Sequence, residues 1–268
     1  MHGRLLAVAL AVVLAGCSGT LPPEATDDVE TVTAVPVPED AGPETGVPGS
    51  GEGQVNASLL GDAHAESIAG AHTRVLHFHI TGGTGLYVDF RETRSVDASN
   101  GSLRTRVYEG PGTARFVPDA EGVTSARSER YASGGWVSQR RTVEGRTAHV
   151  LPSGPAAPES PIPELDDDEL VAAIFENATV VGETPGGDAR LVGNDVHPAL
   201  VPDYLEIPRR VNVRATARSD GHVPHVTVRY LATFQGENVS VTLDVYWLSR
   251  SDPVVRPDWA HGEADEER

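Results

Sequence analysis

The sequence predicts an α+β fold, an antiparallel sheet of about ten strands accompanied by two or more helices. The clearest sign is the last third of the chain, where long runs alternate apolar and polar residues with a period of two. The middle third is cut into short alternating runs by turn signals, and only two stretches show helical spacing. Strands do not alternate with helices along the chain, which excludes the two-lobed α/β architecture of solute receptors.

The chain opens on an export signal. His2 and Arg4 give a short basic start, and Leu5 to Ala15 is an unbroken apolar run of eleven residues. A membrane span needs about 20 apolar residues, whereas the apolar region of a signal peptide has about 7–15. Leu14-Ala15-Gly16-Cys17 closes the run and resembles the lipobox of prokaryotic lipoproteins; Cys17 is the only cysteine in 268 residues. A thiolate is the side chain best suited to accept a lipid group. Residues 1–16 are therefore the expected signal peptide and Cys17 the expected lipidation site, leaving no thiol for a disulfide. Residues 17–54 are rich in Pro, Thr, Glu, Asp and Gly and hold few large apolar side chains. Such a stretch cannot repay the entropy of ordering, so a disordered acidic tether is expected there.

From Val55 to Trp259 the pattern is that of one domain. "NASLLGDAHAESIAGA" places Leu59, Leu60, Ala63, Ser67 and Ile68 at helical spacing, and Gly70 is the stop. Strands are expected over His72–Ile80, Leu86–Val96, Leu103–Glu109, Ala114–Val117, Val123–Ala132 and Gly135–Val150. A Pro-rich connector leads to "DDDELVAAIFENA", a helix opened by acids that complement its dipole, with Leu170, Ile174 and Phe175 as its apolar face. Val211–Arg218, Val226–Phe234 and Val239–Trp247 are half-buried strands by their alternation. Residues 260–268 read as a solvated acidic tail.

Acids outnumber basic residues 39 to 21, for a formal charge of −18, and every basic residue is arginine. This composition points to an extreme halophile, since in about 1 M salt the Debye length is about 3 Å and surface acids barely repel one another. It argues against nucleic acid and against electrostatic docking on anionic lipid, both of which need basic patches.

Chemistry-bearing motifs are sparse. His77 and His79 share one face of a strand at a spacing that metals use, but no third ligand is identifiable, so no metal is expected. The sequence has no G-x-S-x-G, no H-E-x-x-H and no cysteine nucleophile, so neither catalytic residues nor a cofactor are expected. Four N-x-S/T sequons, at Asn56, Asn100, Asn177 and Asn238, fall at element ends or turns where an exported chain could carry glycans.

The order of elements resembles the LolA/LprG-like superfamily. More narrowly, Ala63–Ala71 and Val211–Leu248 resemble a group of haloarchaeal cell-surface lipoproteins. The resemblance implies a curved sheet, an open half-barrel wrapped on its helices, whose concave face holds acyl chains or lipidated cargo. The expected protein is thus anchored through Cys17 to the outer face of the cytoplasmic membrane and binds a hydrophobic ligand. The alternative is an envelope interaction protein that takes no small molecule and contacts another surface protein.

Overall fold

The computed structural model describes residues 46–260, apart from 52, 84, 98–100, 118–120 and 151–158. The signal peptide, Cys17, most of the expected tether, Asn100 and residues 261–268 lie outside the described residues. Those described belong to one compact unit, residues 40–268. Its strands are β1 (Ser50–Gly51), β2 (Gln54–Val55), β3 (His72–Gly82), β4 (Gly85–Val96), β5 (Ser102–Glu109), β6 (Ser125–Ser133), β7 (Trp136–Val143), β8 (Arg146–His149), β9 (Ala178–Glu183), β10 (Ala189–Gly193), β11 (Glu206–Ala217), β12 (His225–Phe234) and β13 (Glu237–Ser249). The helices are α1 (Ala57–Ser67) and α2 (Asp167–Phe175).

All 13 strands form one open antiparallel sheet in the order β1-β2-β9-β10-β11-β12-β13-β3-β4-β5-β6-β7-β8. The expected α+β class and antiparallel sheet hold, with more strands than the alternation alone revealed. Two meanders are joined where β13 pairs with β3 over ten residue pairs, from Ser240↔Thr81 to Ser249↔His72. The sheet is curled. Tyr87 on β4 and Phe234 on β12 bring their ring centroids to 4.5 Å, whereas on a flat sheet three strand spacings of about 4.8 Å would hold those strands roughly 14 Å apart.

Register divides the sheet into two sides. On the helix-facing side stand Leu76, Phe78, Ile80, Val88, Phe90, Tyr108, Val226, Val228, Tyr230, Val241, Leu243, Val245 and Trp247, all buried. Against them pack Leu60 and Ile68 from the α1 end, and Leu170, Val171, Ile174 and Phe175 from α2. Asn56 caps α1, its Oδ1 accepting from Leu59 N–H at 3.2 Å. The buried face of α1 is Leu60, Gly61 and His64, whereas Leu59 is exposed. Gly61 allows the two helices to meet: a Cβ there would lie 2.5 Å from the carbonyl oxygen of Asp168.

Two expectations need correction. Ala114–Val117 is no strand; Pro111–Arg115 forms a 3₁₀ turn that packs Gly112 against Val88 and Tyr87 too closely for any Cβ. Gly135–Val150 is two strands, because Glu144 and Gly145 both take positive φ and reverse the chain. Among the described residues the first strand, β1, lies at Ser50–Gly51, and Val47 is buried in the core. At the other end Ala260, placed in the expected tail, is buried beside Tyr131 and Val254.

Candidate functional site

The concave side of the sheet is the natural place for a ligand, and over β9 to β5 it is occupied by the chain itself. The two helices, Phe116 and Val117, Ile162, and Leu200 and Leu205 complete the apolar cluster there. Beyond the apolar zone the same side turns polar. Asp167, first residue of α2, takes hydrogen bonds from Arg74 (3.1 Å), Trp247 Nε1 (2.8 Å) and His72 Nε2 (3.1 Å). Burial alone would raise its pKa; the His72 hydrogen bond and the Arg74 charge outweigh this and hold it below the usual carboxylate range. Glu92 sits between Arg74 (3.1 Å) and Arg106 (2.8 Å), with all three side chains only 5–6% exposed. Burial again opposes ionisation, and the Arg106 and Arg74 charges prevail, so its pKa is also lowered. Removing one partner from a buried pair of this kind costs about 3–5 kcal/mol. Glu164 completes the seam by accepting from Arg104 at 2.7 Å and Arg106 at 2.5 Å.

Register reveals why so many carboxylates gather there. Arg74, Arg94, Arg104 and Arg130 stand directly opposite one another on β3, β4, β5 and β6, all on the helix-facing side. Like charges placed directly across a sheet repel. Arg74 and Arg104 are neutralised by the acids above, and Arg94 has a long contact to the exposed Asp166 at 3.5 Å. Arg130 is half-buried, and among the described residues no carboxylate reaches it. Burial, followed by the Arg104 charge, pushes its pKa down against the opposing charge of Glu164.

The row leads onto a wing of the sheet, β6 to β8, that neither helix covers. By register its helix-facing side carries Ala126, Ser128, Arg130 and Ala132, then Val137, Gln139, Arg141 and Val143, then Arg146 and Ala148. Val137 is 50% exposed. An open cavity of about 460 Å³ is bounded by Arg141, Val143, Glu144, Arg146 and Ala148. Small apolar side chains and the aliphatic stems of arginines thus share one accessible surface.

A larger open groove, about 940 Å³, lies on the outer side over β9 to β12. Its lining includes Arg190, Arg214, His225, Asn177, Asn194 and Asn212 and holds no carboxylate. Its β11 lining starts at Val211, just after the stretch where two register shifts bend that strand and Arg210 takes a φ of 53°.

The remaining sequence-chosen residues are dispersed. His77 and His79 face outward while Leu76, Phe78 and Ile80 are buried, as the alternation required. His77 Nε2 lies 2.7 Å from Asp89, and no group of three metal-ligating side chains is gathered among the described residues. Asn56, Asn177 and Asn238 are exposed, on three separate elements: the α1 cap, the α2–β9 junction and the start of β13. The arginine row was missed because each arginine reads separately as the polar half of an alternating strand. Only the four-strand register aligns them. Among the described residues no helix is long and apolar enough to cross a membrane.

No protein-family model matches the chain, and no curated protein matches it. Among solved structures, the chain is similar to an outer membrane lipoprotein-sorting protein domain of Vibrio parahaemolyticus, at 8% identity and a TM-score of 0.28, over 76% of this chain and 95% of that one. A LolA superfamily protein of Nitrosomonas europaea matches at 11% identity and a TM-score of 0.26, over 74% of this chain and 96% of that one. A protein of Chlamydia trachomatis matches at 8% identity and 0.21, over 70% and 92%. Likenesses this distant leave function to be read from the site itself.

Proposed function

We propose that this chain is an envelope protein, held outside the cell by a lipid on Cys17, that binds an amphiphilic molecule, a lipid or lipidated cargo, on the open wing of its half-barrel. The observation that supports this is the wing: β7 and β8 present Val137 and Ala148 to solvent on the side of the sheet that the helices cover elsewhere, next to the partly buried Val143. Apolar side chains grouped with arginines on an accessible sheet face suit an amphiphilic ligand. The ligand rests on the wing and not beneath the helices, because the apolar zone under α1 and α2 is already filled. Glycans at Asn56, Asn100, Asn177 and Asn238 belong to the same reading of an exported surface protein.

Native mass spectrometry and lipid extraction of protein purified at high salt test it. The expected result is a co-purified amphiphile that is lost in Val137→Glu and Ala148→Glu. A protein that is empty in every preparation, and takes up neither dodecyl phosphate nor dodecyl maltoside, would refute it. The second reading, an interaction protein without a small ligand, draws on the outer side, where Tyr246 and Leu248 on β13 are 39% and 53% exposed. Recovery of an equimolar protein partner with the wing empty would favour it.

A further inference from the structure

We infer that the arginine row on β4 to β6, Arg94, Arg104 and Arg130, is a recognition site for a phosphate or sulfate group. The inference deepens the amphiphile reading by naming the head-group chemistry, and it rests on that reading only for the apolar part of the ligand.

The observations are electrostatic and geometric. Four guanidiniums stand in register across neighbouring strands, at spacings of about 4.8 Å. In a chain of net charge −18, Asp166 reaches Arg94 at 3.5 Å and Glu164 reaches Arg104 at 2.7 Å, and Arg130 is the member of the row that no carboxylate contacts among the described residues. The seam supplies Glu92 and Asp167 to Arg74 and Arg106, and shares Glu164 between Arg104 and Arg106. At the wing Arg130 is half-buried, with Arg104, Arg94 and Arg106 as like-charged neighbours and Glu164 as an opposing charge that makes no direct contact with it. Residues 151–158, the connector that follows β8, contain no acid. A partly desolvated cation with like-charged neighbours is costly unless an anion is shared among them. Guanidiniums match the oxygens of phosphate and sulfate with paired hydrogen bonds, which makes such a row selective for those groups over a point charge. Val137, Val143 and Ala148 lie on the same side of β7 and β8, placed for the chain of the same ligand.

Glu164 is the internal competitor. Burial opposes its ionisation, but the hydrogen bonds from Arg104 and Arg106 prevail and lower its pKa to about 2, so it stays charged. It occupies Arg104 at 2.7 Å while itself remaining accessible to solvent.

Calorimetric titration with dodecyl phosphate, dodecyl maltoside and inorganic phosphate, at the salt concentration where the protein is folded, tests the inference. Dodecyl phosphate should bind about tenfold more tightly than dodecyl maltoside. Arg130→Gln should remove that margin, Arg130→Lys should keep part of it, and Glu164→Gln should tighten binding, an effect that misfolding would not produce. Near-UV circular dichroism establishes that each variant is folded. Equal binding of the two amphiphiles, unaffected by Arg130→Gln, would overturn the anion site and leave the amphiphile reading standing. Binding of inorganic phosphate that depends on Arg130, with no uptake of either amphiphile, would uphold the anion site and sink the amphiphile reading. No binding of any of the three would overturn both.

Discussion

His64 shows how far a single side chain can depart from its sequence role. It lies in the middle of α1 and is fully buried, with Nδ1 accepting from Val223 N–H at 3.1 Å and its ring set edge-on to Trp247 at 4.6 Å. Burial is the main cause, and the neighbouring His222 the next, of a pKa lowered from 6.5 to about 4, with Asp167 and Asp220 opposing. The folded state therefore holds the neutral imidazole, while the unfolded chain takes up a proton below about pH 6.5. Stability from this residue is complete above that pH and is lost as pH falls towards 4, a change of about 3 kcal/mol. His79 and His222 are lowered for the same first reason, burial, and add to the slope. Unfolding midpoints between pH 7 and pH 4.5 should fall in the native chain and fall distinctly less in His64→Gln. An equal slope in both would show that His64 does not titrate as described.

At the level of elements, two short helices close the apolar zone of a long sheet, and their mutual approach is the constraint. Gly61 on α1 faces Asp168 on α2 with no room for a methyl group. Gly61→Ala should cost about 1–3 kcal/mol through overpacking at that crossing. Gly51→Ala on β1, where a Cβ would meet nothing within 4 Å, should be close to neutral. Thermal unfolding of the two variants separates them, and a harmless Gly61→Ala would mean that the helices can shift apart freely. The start of α2 is secured locally by its capping box, Glu169 accepting from Asp166 N–H at 3.2 Å, while Asp167 ties the helix to β3 and β13 through Arg74 and Trp247. The acidic opening of this helix was legible in the sequence as a dipole complement. That one of its acids also anchors the helix to the sheet was not, because the partners lie about 80 and 93 residues away.

For the molecule as a whole, charge and burial work against one another. A surplus of 18 negative charges repels itself in dilute buffer and is screened in concentrated salt. The unfolding midpoint should therefore rise steadily from dilute buffer to molar potassium chloride, with each 1 kcal/mol worth about 2–4 °C for a domain of this size. A flat response would remove the halophile reading. The sheet, its antiparallel character and most of its buried residues followed from alternation alone, since a period of two with one face in water leaves few other arrangements. So did the boundaries of β12 and β13, within a residue or two. The strands that alternation did not locate, β1, β2, β9 and β10, span two to six residues each, too short for a period of two to mark their bounds. The sequence by itself determined which side chains point inward on each strand, because that depends only on local periodicity. Tertiary structure decided that β13 pairs with β3, that the open sheet curls over its two helices while Val137 on β7 and Ala148 on β8 stay exposed, and that four arginines fall into one row. Those outcomes depend on register between distant strands, and register is set by packing across the whole sheet.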